Sequence, residues 1–309
     1  MKVLVVCKYK EGFPDHAAPF VIEQRNALQH CGVECDLFLV EGKGIHGYLK
    51  QLSLLKKRIA IFHPDVIHAH YGLSGLLANL QRKIPVVTTY HGTDINDPKV
   101  SRLSKMAMKF SSWNIFVSRD IIEKTKLREN ASLLPCGVDL SELQQTEKLE
   151  ARKRLCLSPN GKYVLFAGAF DNMVKNAPLA KKVIACLYDD TVELLELKGY
   201  SRNEVTLLMC AADVLLMTSY SEGSPQVIKE ALACGCPIVS VAVGDVKERV
   251  DGVEGCFVAK TREPLELIEL LRKALRYEGR IKGREKIVAD RLDNLDVANK
   301  LIEIYSKIV

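Results

Sequence analysis

Glu222 and Glu230 stand eight positions apart in the segment DVLLMTSYSEGSPQVIKEALACGCPIVSVAV, residues 213–243. Between them lies the start of a helix, and a helix start is an anion site. Its first N–H groups lack intrahelical partners, and its dipole puts roughly half a positive charge there. A carboxylate beside that charge competes with a phosphate unless it accepts hydrogen bonds from the same ligand. Sugar and ribose hydroxyls are the natural donors. From Pro225 to Glu230 the axial rise is about 7–8 Å, which suits a ligand with phosphate at the helix end and hydroxyls farther along. The spacing alone fits equally well an ordinary βαβ unit with one Glu in a turn and one on a helix surface.

A second candidate is Lys175 in FAGAFDNMVKN (166–176), where a strand ends at Gly168 and a polar loop leads to a lysine just before a helix. Such a lysine can act as a point charge on a phosphate. A third is the pair HAHY (68–71) and YHGTD (90–94). His68 and His70 are two apart on a strand and share a face. A metal there needs further ligands, for which His91 and Asp94 are available.

The elements that must position these groups alternate regularly. DVLLMTS is a short apolar run of the kind buried on both faces of a parallel sheet. The turn SEGSP follows, with Ser224 predicted as N-cap and Pro225 at the first helical position. Val227, Ile228, Ala231 and Leu232 form an apolar helical face, and Gly235 and Pro237 end the helix before the strand IVSVAV. Upstream, KVLVVC, ECDLFLV, DVIHAH, VVTTYH, WNIFVS and SLLPC alternate with helical stretches. After the polar segment 139–160 the pattern restarts with KYVLFAG and VELLELKG, and GCFVA comes last. This predicts two doubly wound parallel sheets with ligands at the strands' carboxyl ends. The expected domains are 1–150 and 151–293, followed by a helix in 294–309 with Leu295, Ala298, Leu301, Ile302 and Tyr305 on one face.

The chain of 309 residues is long enough for two such domains, and 48% hydrophobic with 27% charged is an ordinary globular composition. Ten cysteines without C-x-x-C pairs read as reduced structural thiols. Met1 leads directly into a strand and no apolar run reaches membrane-span length, so a soluble cytoplasmic protein is expected. The net charge of +6 suits phosphates, anionic lipid or nucleic acid. Basic residues are not interleaved with base-stacking aromatics, so nucleic acid is not expected. Lys99, Arg102, Lys105 and Lys109 recur at helical spacing among Leu103, Met106, Met108 and Phe110, and Lys50 and Lys56–Arg58 mark another basic helix. Such helices suit an anionic membrane surface or a solvated domain face, and both readings stand.

SEGSPQVIKEALACGCPIVSVAVGDVKE resembles the glutamate–seven–glutamate segment of glycosyltransferase family 4, retaining enzymes of the GT-B fold. Their pattern is matched by Glu222, Gly223, Glu230, Ala231, Ala233, Gly235 and Pro237, with Gly244 and Glu248 following. The resemblance implies two Rossmann-like domains facing a cleft, with the last helix packed back on the first. It gives Glu222 the donor sugar, Glu230 the ribose, and the backbone of Gly223, Ser224, Pro225, Gln226 and Val227 the diphosphate. Lys175, beside Gly168, matches a diphosphate lysine, and the loop at Gly199 and Tyr200 stands where base contacts arise. Ala169 occupies the place of a usual arginine, for which Lys229, Arg249 or a residue of the first domain could compensate. VVTTYHGTD resembles the family's H-G-x-D, placing His91 at the reaction centre with Asp94 near it on the acceptor side; His70 is an acceptor-side candidate or, equally, a core or capping histidine. LLPCGVD resembles a junction motif, with Cys136 where Asn is common, and reads as architecture. The glycine pair usual after the first strand is missing, with Gly12 alone in KEGFPDHAAPF.

The resemblance thus implies a metal-independent, hexosyltransferase-type enzyme with no cofactor. It would move a sugar from a UDP- or GDP-type donor to a saccharide or lipid-linked acceptor in cell-surface polysaccharide or glycolipid synthesis. Acceptor choice would lie in loops 8–19 and 41–47. The alternatives are a nucleotide-sugar epimerase on the same fold and a non-catalytic nucleotide-sugar-binding subunit.

Overall fold

In the computed structural model, which describes residues 1–42, 44–127 and 129–309 and no side chain at 14, 44 or 45, the chain forms two units. Residue 43, in the second acceptor loop named above, lies outside the described residues, as does the side chain of residue 14 in the first. One unit comprises Met1–Gly137 with Leu292–Val309, and the other Val138–Arg291.

The first unit runs β1 (Lys2–Lys8), α1 (Pro19–His30), β2 (Glu34–Val40), α2 (Gly44–Lys50), α3 (Leu52–Phe62), β3 (Val66–His70), α4 (Gly72–Asn79), β4 (Val86–Tyr90), α5 (Thr93–Asn96), α6 (Pro98–Phe110), β5 (Trp113–Phe116), α7 (Arg119–Thr125) and β6 (Ala131–Leu133). All strand pairs are parallel, in the order β2-β1-β3-β4-β5-β6. Side chains alternate between the two faces. Val3, Val5, Val66, Val87 and Ile115 pack with α1 and with the C-terminal helix, Asn294–Tyr305. Leu4, Val6, Ile67 and Ala69 face the other way, against Tyr48, Leu55 and Leu77 of α2, α3 and α4. Burying each large aliphatic side chain stabilises by roughly 1.5–3 kcal/mol. Asp293 caps the C-terminal helix, and its Val297, Ala298, Leu301 and Tyr305 enter the first unit's core.

α6 lies on α4 at very short range. A Cβ on Gly72 would sit 2.1 Å from Ser104 Oγ, so the crossing needs glycine there. The buried face of α6 is Ser104, Ala107 and Met108, whereas Met106 and Phe110, read from the sequence as part of its apolar face, are exposed. The reason is helical phase: Ser104, Ala107 and Met108 share the stripe turned inward, with Ser104 at the α4 crossing, and Met106 and Phe110 share the stripe of Arg102, Lys105 and Lys109.

The second unit contains α8 (Lys148–Arg154), β7 (Lys162–Phe166), α9 (Ala177–Ala185), β8 (Val192–Glu196), α10 (Arg202–Ala211), β9 (Val214–Met217), α11 (Gln226–Cys234), β10 (Ile238–Val241), α12 (Val246–Val250), β11 (Cys256–Ala259), α13 (Pro264–Leu275) and α14 (Gly283–Ala289). Its five strands are parallel in the order β11-β10-β9-β7-β8. The boundary falls at 137/138 instead of 150. Residues 138–150 are bonded into the second unit: Arg284 donates to the carbonyls of Leu140 (2.6 Å) and Leu143 (2.8 Å), and Lys148 to Asp213 (3.0 Å).

Candidate functional site

In the second unit the carboxyl ends of β7 and β9 carry their loops side by side. Thr218 Oγ1 lies 3.0 Å from the carbonyl oxygens of both Lys175 and Asn176, and the Tyr220 N–H donates to the Val174 carbonyl at 2.9 Å. This brings Lys175 and Glu222, distant in sequence, into an ion pair of 2.7 Å in which both side chains are mostly buried. Gly168 makes room for it, since a Cβ there would sit 2.9 Å from Lys175 Cγ. At Ala169 no cation stands. The following Phe170 N–H donates instead to Glu196 Oε2 at 2.7 Å.

The turn before α11 is built differently from the sequence expectation. Pro225 occupies the N-cap position, and Ser224 does not cap the helix. Its Oγ donates to Asp245 Oδ2 at 2.8 Å and accepts from Lys229 Nζ at 3.2 Å. Proline has no polar side chain with which to cover the helix start, so the anion site inferred from the pattern keeps its chemistry. Gly235 ends the helix in the left-handed conformation, as predicted.

Lys229 is fully buried, and Arg249 reaches Asp290 (2.6 Å) and Asp245 (3.2 Å). The two substitutes named within the second unit are therefore engaged in the interior. Burial pushes the Asp245 carboxyl up, and the charges of Lys229 and Arg249 pull against that. This cluster pins the Glu222–Gly223 turn to the loop after β10. The Asp245 N–H donates to the Gly223 carbonyl at 3.2 Å, and a Cβ on Gly244 would lie 2.2 Å from that carbonyl oxygen.

Glu230, 8% exposed, is paired with Arg202 at 2.5 Å. The sequence reading missed Arg202. Its signal was the capping box Ser201-x-x-Glu204, which fixes the start of α10 immediately after Gly199 and Tyr200. Gly199 has φ +81° with open space around it, and Tyr200 is exposed. The second unit thus gathers Gly168, Lys175, Glu222 and the α11 start at its strand ends. Glu230, farther along α11, is joined through Arg202 to the Gly199–Tyr200 loop.

In the first unit three imidazoles form a stack at the carboxyl ends of β3 and β4. Ring centroids are 4.6 Å apart for His68–His70 and 5.3 Å for His70–His91. His70 Nδ1 and His91 Nε2 share a proton-mediated contact of 3.1 Å, and Cys136 Sγ lies 3.8 Å from His91 Nδ1. Cys136 is thus a neighbour of His91's ring as well as part of a junction motif. Deeper, His68 is held by Tyr305 Oη at 2.6 Å and Thr89 Oγ1 at 2.7 Å. Burial holds the His70 imidazole down at about 3 and the His68 imidazole well below its ordinary range.

Asp94 accepts from the N–H groups of His91 (3.1 Å), Gly92 (3.0 Å) and Gly72 (3.0 Å). Burial raises its carboxyl to about 6 against the pull of those amides. Asp94 is therefore an anchor of the His91 loop and of the α4 start, and it is nearly inaccessible. Among the described residues no group of three or more His, Cys, Asp and Glu is arranged to hold a metal ion, and no helix is long and apolar enough to cross a membrane.

Comparison with known proteins bears on both units. The profile of Glycosyltransferase Family 4 matches residues 5–142, and that of Glycosyl transferases group 1 matches residues 164–276. TuaC of Bacillus subtilis (strain 168), a glycosyltransferase named for teichuronic acid biosynthesis, is 29% identical over 223 residues, which cover 63% of this chain and 57% of that protein. The chain thus spans little more than half the length of such relatives. Sucrose-phosphate synthase from Thermosynechococcus elongatus superposes with a TM-score of 0.82 at 18% identity, covering 99% of this chain and 98% of the other. Anabaena Alr3699/HepE, solved in complex with UDP, superposes with a TM-score of 0.74 at 16% identity, covering 99% and 100%. These structural likenesses establish the GT-B fold.

Proposed function

From the match of residues 5–142 to Glycosyltransferase Family 4 and of residues 164–276 to Glycosyl transferases group 1, we propose that the chain transfers a sugar from a nucleotide-diphosphate-sugar donor to an acceptor hydroxyl. The observation that carries this reading is the disposition of the two glutamates around α11. Glu222 stands at a helix start that no side chain of Pro225 covers, and Glu230 lies farther along the same helix. Each is matched by one base, Lys175 and Arg202.

In this reading the diphosphate sits on the N–H groups of Gly223, Ser224, Gln226 and Val227, Pro225 having none, with Lys175 as its cation, Glu222 accepts from sugar hydroxyls, and Glu230 accepts from the ribose. Donors already oriented toward the developing charge of the leaving group stabilise it without reorganisation. With Ala169 in the usual arginine place, the helix start and Lys175 carry most of that task. His91 is assigned to the transferred sugar and Gly199 and Tyr200 to the base, while His70, 1% exposed, acts from behind by holding the His91 ring in place. Asp94 acts by holding His91's loop. Retention, independence of metal and a hexosyl donor of the UDP or GDP type belong to the same reading. So do a saccharide or lipid-linked acceptor, a role in cell-surface polysaccharide or glycolipid synthesis, and work at the cytoplasmic face of a membrane.

Ala169 and the missing first-loop glycine pair favour a second reading, a non-catalytic nucleotide-sugar-binding subunit. The test is a thermal-shift screen with UDP, GDP, ADP, CMP and dTDP, repeated on Glu230→Ala. A ligand bound only to the folded state at a hundredfold excess over Kd stabilises it by about 2.7 kcal/mol. Stabilisation by one diphosphate, lost in the variant, is expected. Silence toward all five would overturn the donor site. Slow hydrolysis of the donor without acceptor separates transferase from binding subunit.

A further inference from the structure

The helices α3, α4 and α6 and the turn 80–85 contain no acidic residue. They hold nine lysines and arginines, three in α3, two in the turn and four in α6, all exposed. The whole formal excess of +6 falls within the first unit, because acidic and basic residues balance in the second. Arg58 is paired with Asp36 at 2.6 Å. For the other eight, no ion pair with a carboxylate is seen among the described residues.

These elements form one layer. α3 and α4 pack on the same sheet face, and α6 crosses α4 where Gly72 meets Ser104. Two grooves of about 590 and 470 Å³ meet at Gln81, Lys83 and Ile84, one reaching Arg82 and Phe110 and the other Lys56 and Ile59. The turn's cations thus lie between α3 and α6.

Each of the two flanking helices also presents apolar side chains to solvent among its cations. On α3, Leu54 and Ile61 are 49% and 71% exposed, seven residues apart, with Lys57 and Arg58 between them on the same stripe. On α6, Met106 and Phe110 are 47% and 58% exposed, four apart, beside Arg102, Lys105 and Lys109. An interfacial helix needs both kinds, with cations at the level of phosphate headgroups and apolar residues entering the acyl boundary.

We propose that this layer docks the protein on an anionic lipid surface. Of Leu54, Ile61, Met106 and Phe110 only Phe110 offers a ring for a base to stack on, which disfavours single-stranded nucleic acid, whose sites use successive aromatics. The dispersed charges suit a plane of headgroups that meets all of them at once. The inference rests on the proposed reading only for the kind of acceptor such docking serves, and its test reads binding without transfer.

The full chain is sedimented with vesicles of phosphatidylcholine, with and without phosphatidylglycerol. Retention is expected only with phosphatidylglycerol, and salt should abolish it. Lys57→Gln and Lys105→Gln should each weaken partitioning about fivefold, and Ile61→Ser with Phe110→Ser should weaken it further. Lys247→Gln in the second unit should leave it unchanged. An unaltered thermal midpoint shows that each variant is folded. Equal retention on both vesicle types, equal loss with Lys247→Gln, or retention on single-stranded RNA but not on phosphatidylglycerol would each overturn the proposal.

Discussion

Replacing Gly244 by alanine tests whether the loop after β10 sets the position of the Glu222 turn. The new Cβ would lie 2.2 Å from the Gly223 carbonyl oxygen, 2.9 Å from its carbon and 3.1 Å from the Glu222 oxygen, all of them backbone. An ordinary C···O contact is about 3.3 Å, so the turn must retreat by about 1 Å. Gly244 also has φ +54°, where an L-residue costs roughly 1–2 kcal/mol. Strain and clash together should lower stability by about 2–3 kcal/mol. Misplacement by that distance can cost about a hundredfold in rate, and nucleotide affinity should fall with it.

The control is Gly252→Ala, at φ +74° with nothing within 4 Å. It shares the backbone strain but not the clash, and should lose only about 1 kcal/mol. Urea denaturation of both variants, with and without the stabilising diphosphate, reads the two quantities separately. If Gly244→Ala matches Gly252→Ala in stability and keeps the full nucleotide-dependent shift, the turn is not held as argued.

Arg202→Ala leaves the mostly buried Glu230 without its guanidinium. It should cost about 1–2 kcal/mol in urea, partly recovered when Glu230→Gln removes the charge as well; additivity of the two changes would refute the pairing. Tyr305→Phe leaves His68 Nδ1 buried without its partner and should destabilise by about 1–3 kcal/mol, so an unchanged urea midpoint would count against that bond. Stability should also fall between pH 6.5 and 5. His68 and His70 have folded-state values below the unfolded one, so there the unfolded state binds the extra protons, and each histidine loses about 2 kcal/mol by pH 5. Asp94, raised to about 6, acts the other way and returns about 1 kcal/mol as pH falls below that value. A urea midpoint that stays flat across this window would show that the stack is not buried and neutral.

Much of this protein is written locally. Short apolar runs bounded by turn residues give parallel strands because both faces of each are buried, and the alternation with helices gives two doubly wound units. The bounds of α11 follow from Pro225 at its start and Gly235 at its end, whose backbone preferences act over a few residues. Even the basic character of α3 and α6 is a matter of composition.

What the sequence could not decide was which side chains meet across strands. Lys175 and Glu222 are 47 positions apart, and they pair only because β7 and β9 are neighbours. Ser224 looked like a helix cap until the loop after β10 offered it Asp245, a stronger partner than a backbone amide. Lys229, named as a substitute for the usual arginine, is instead buried against Ser224, where its charge acts on Asp245. Tyr305 reaches His68 across 237 positions, a contact made by docking the C-terminal helix and by nothing in its own periodicity. Met106 and Phe110 face solvent because the close crossing at Gly72 and Ser104 fixes which stripe of α6 turns inward. Local propensity fixes elements, whereas burial of charge and shape at their crossings chooses partners, and that choice exists only in three dimensions.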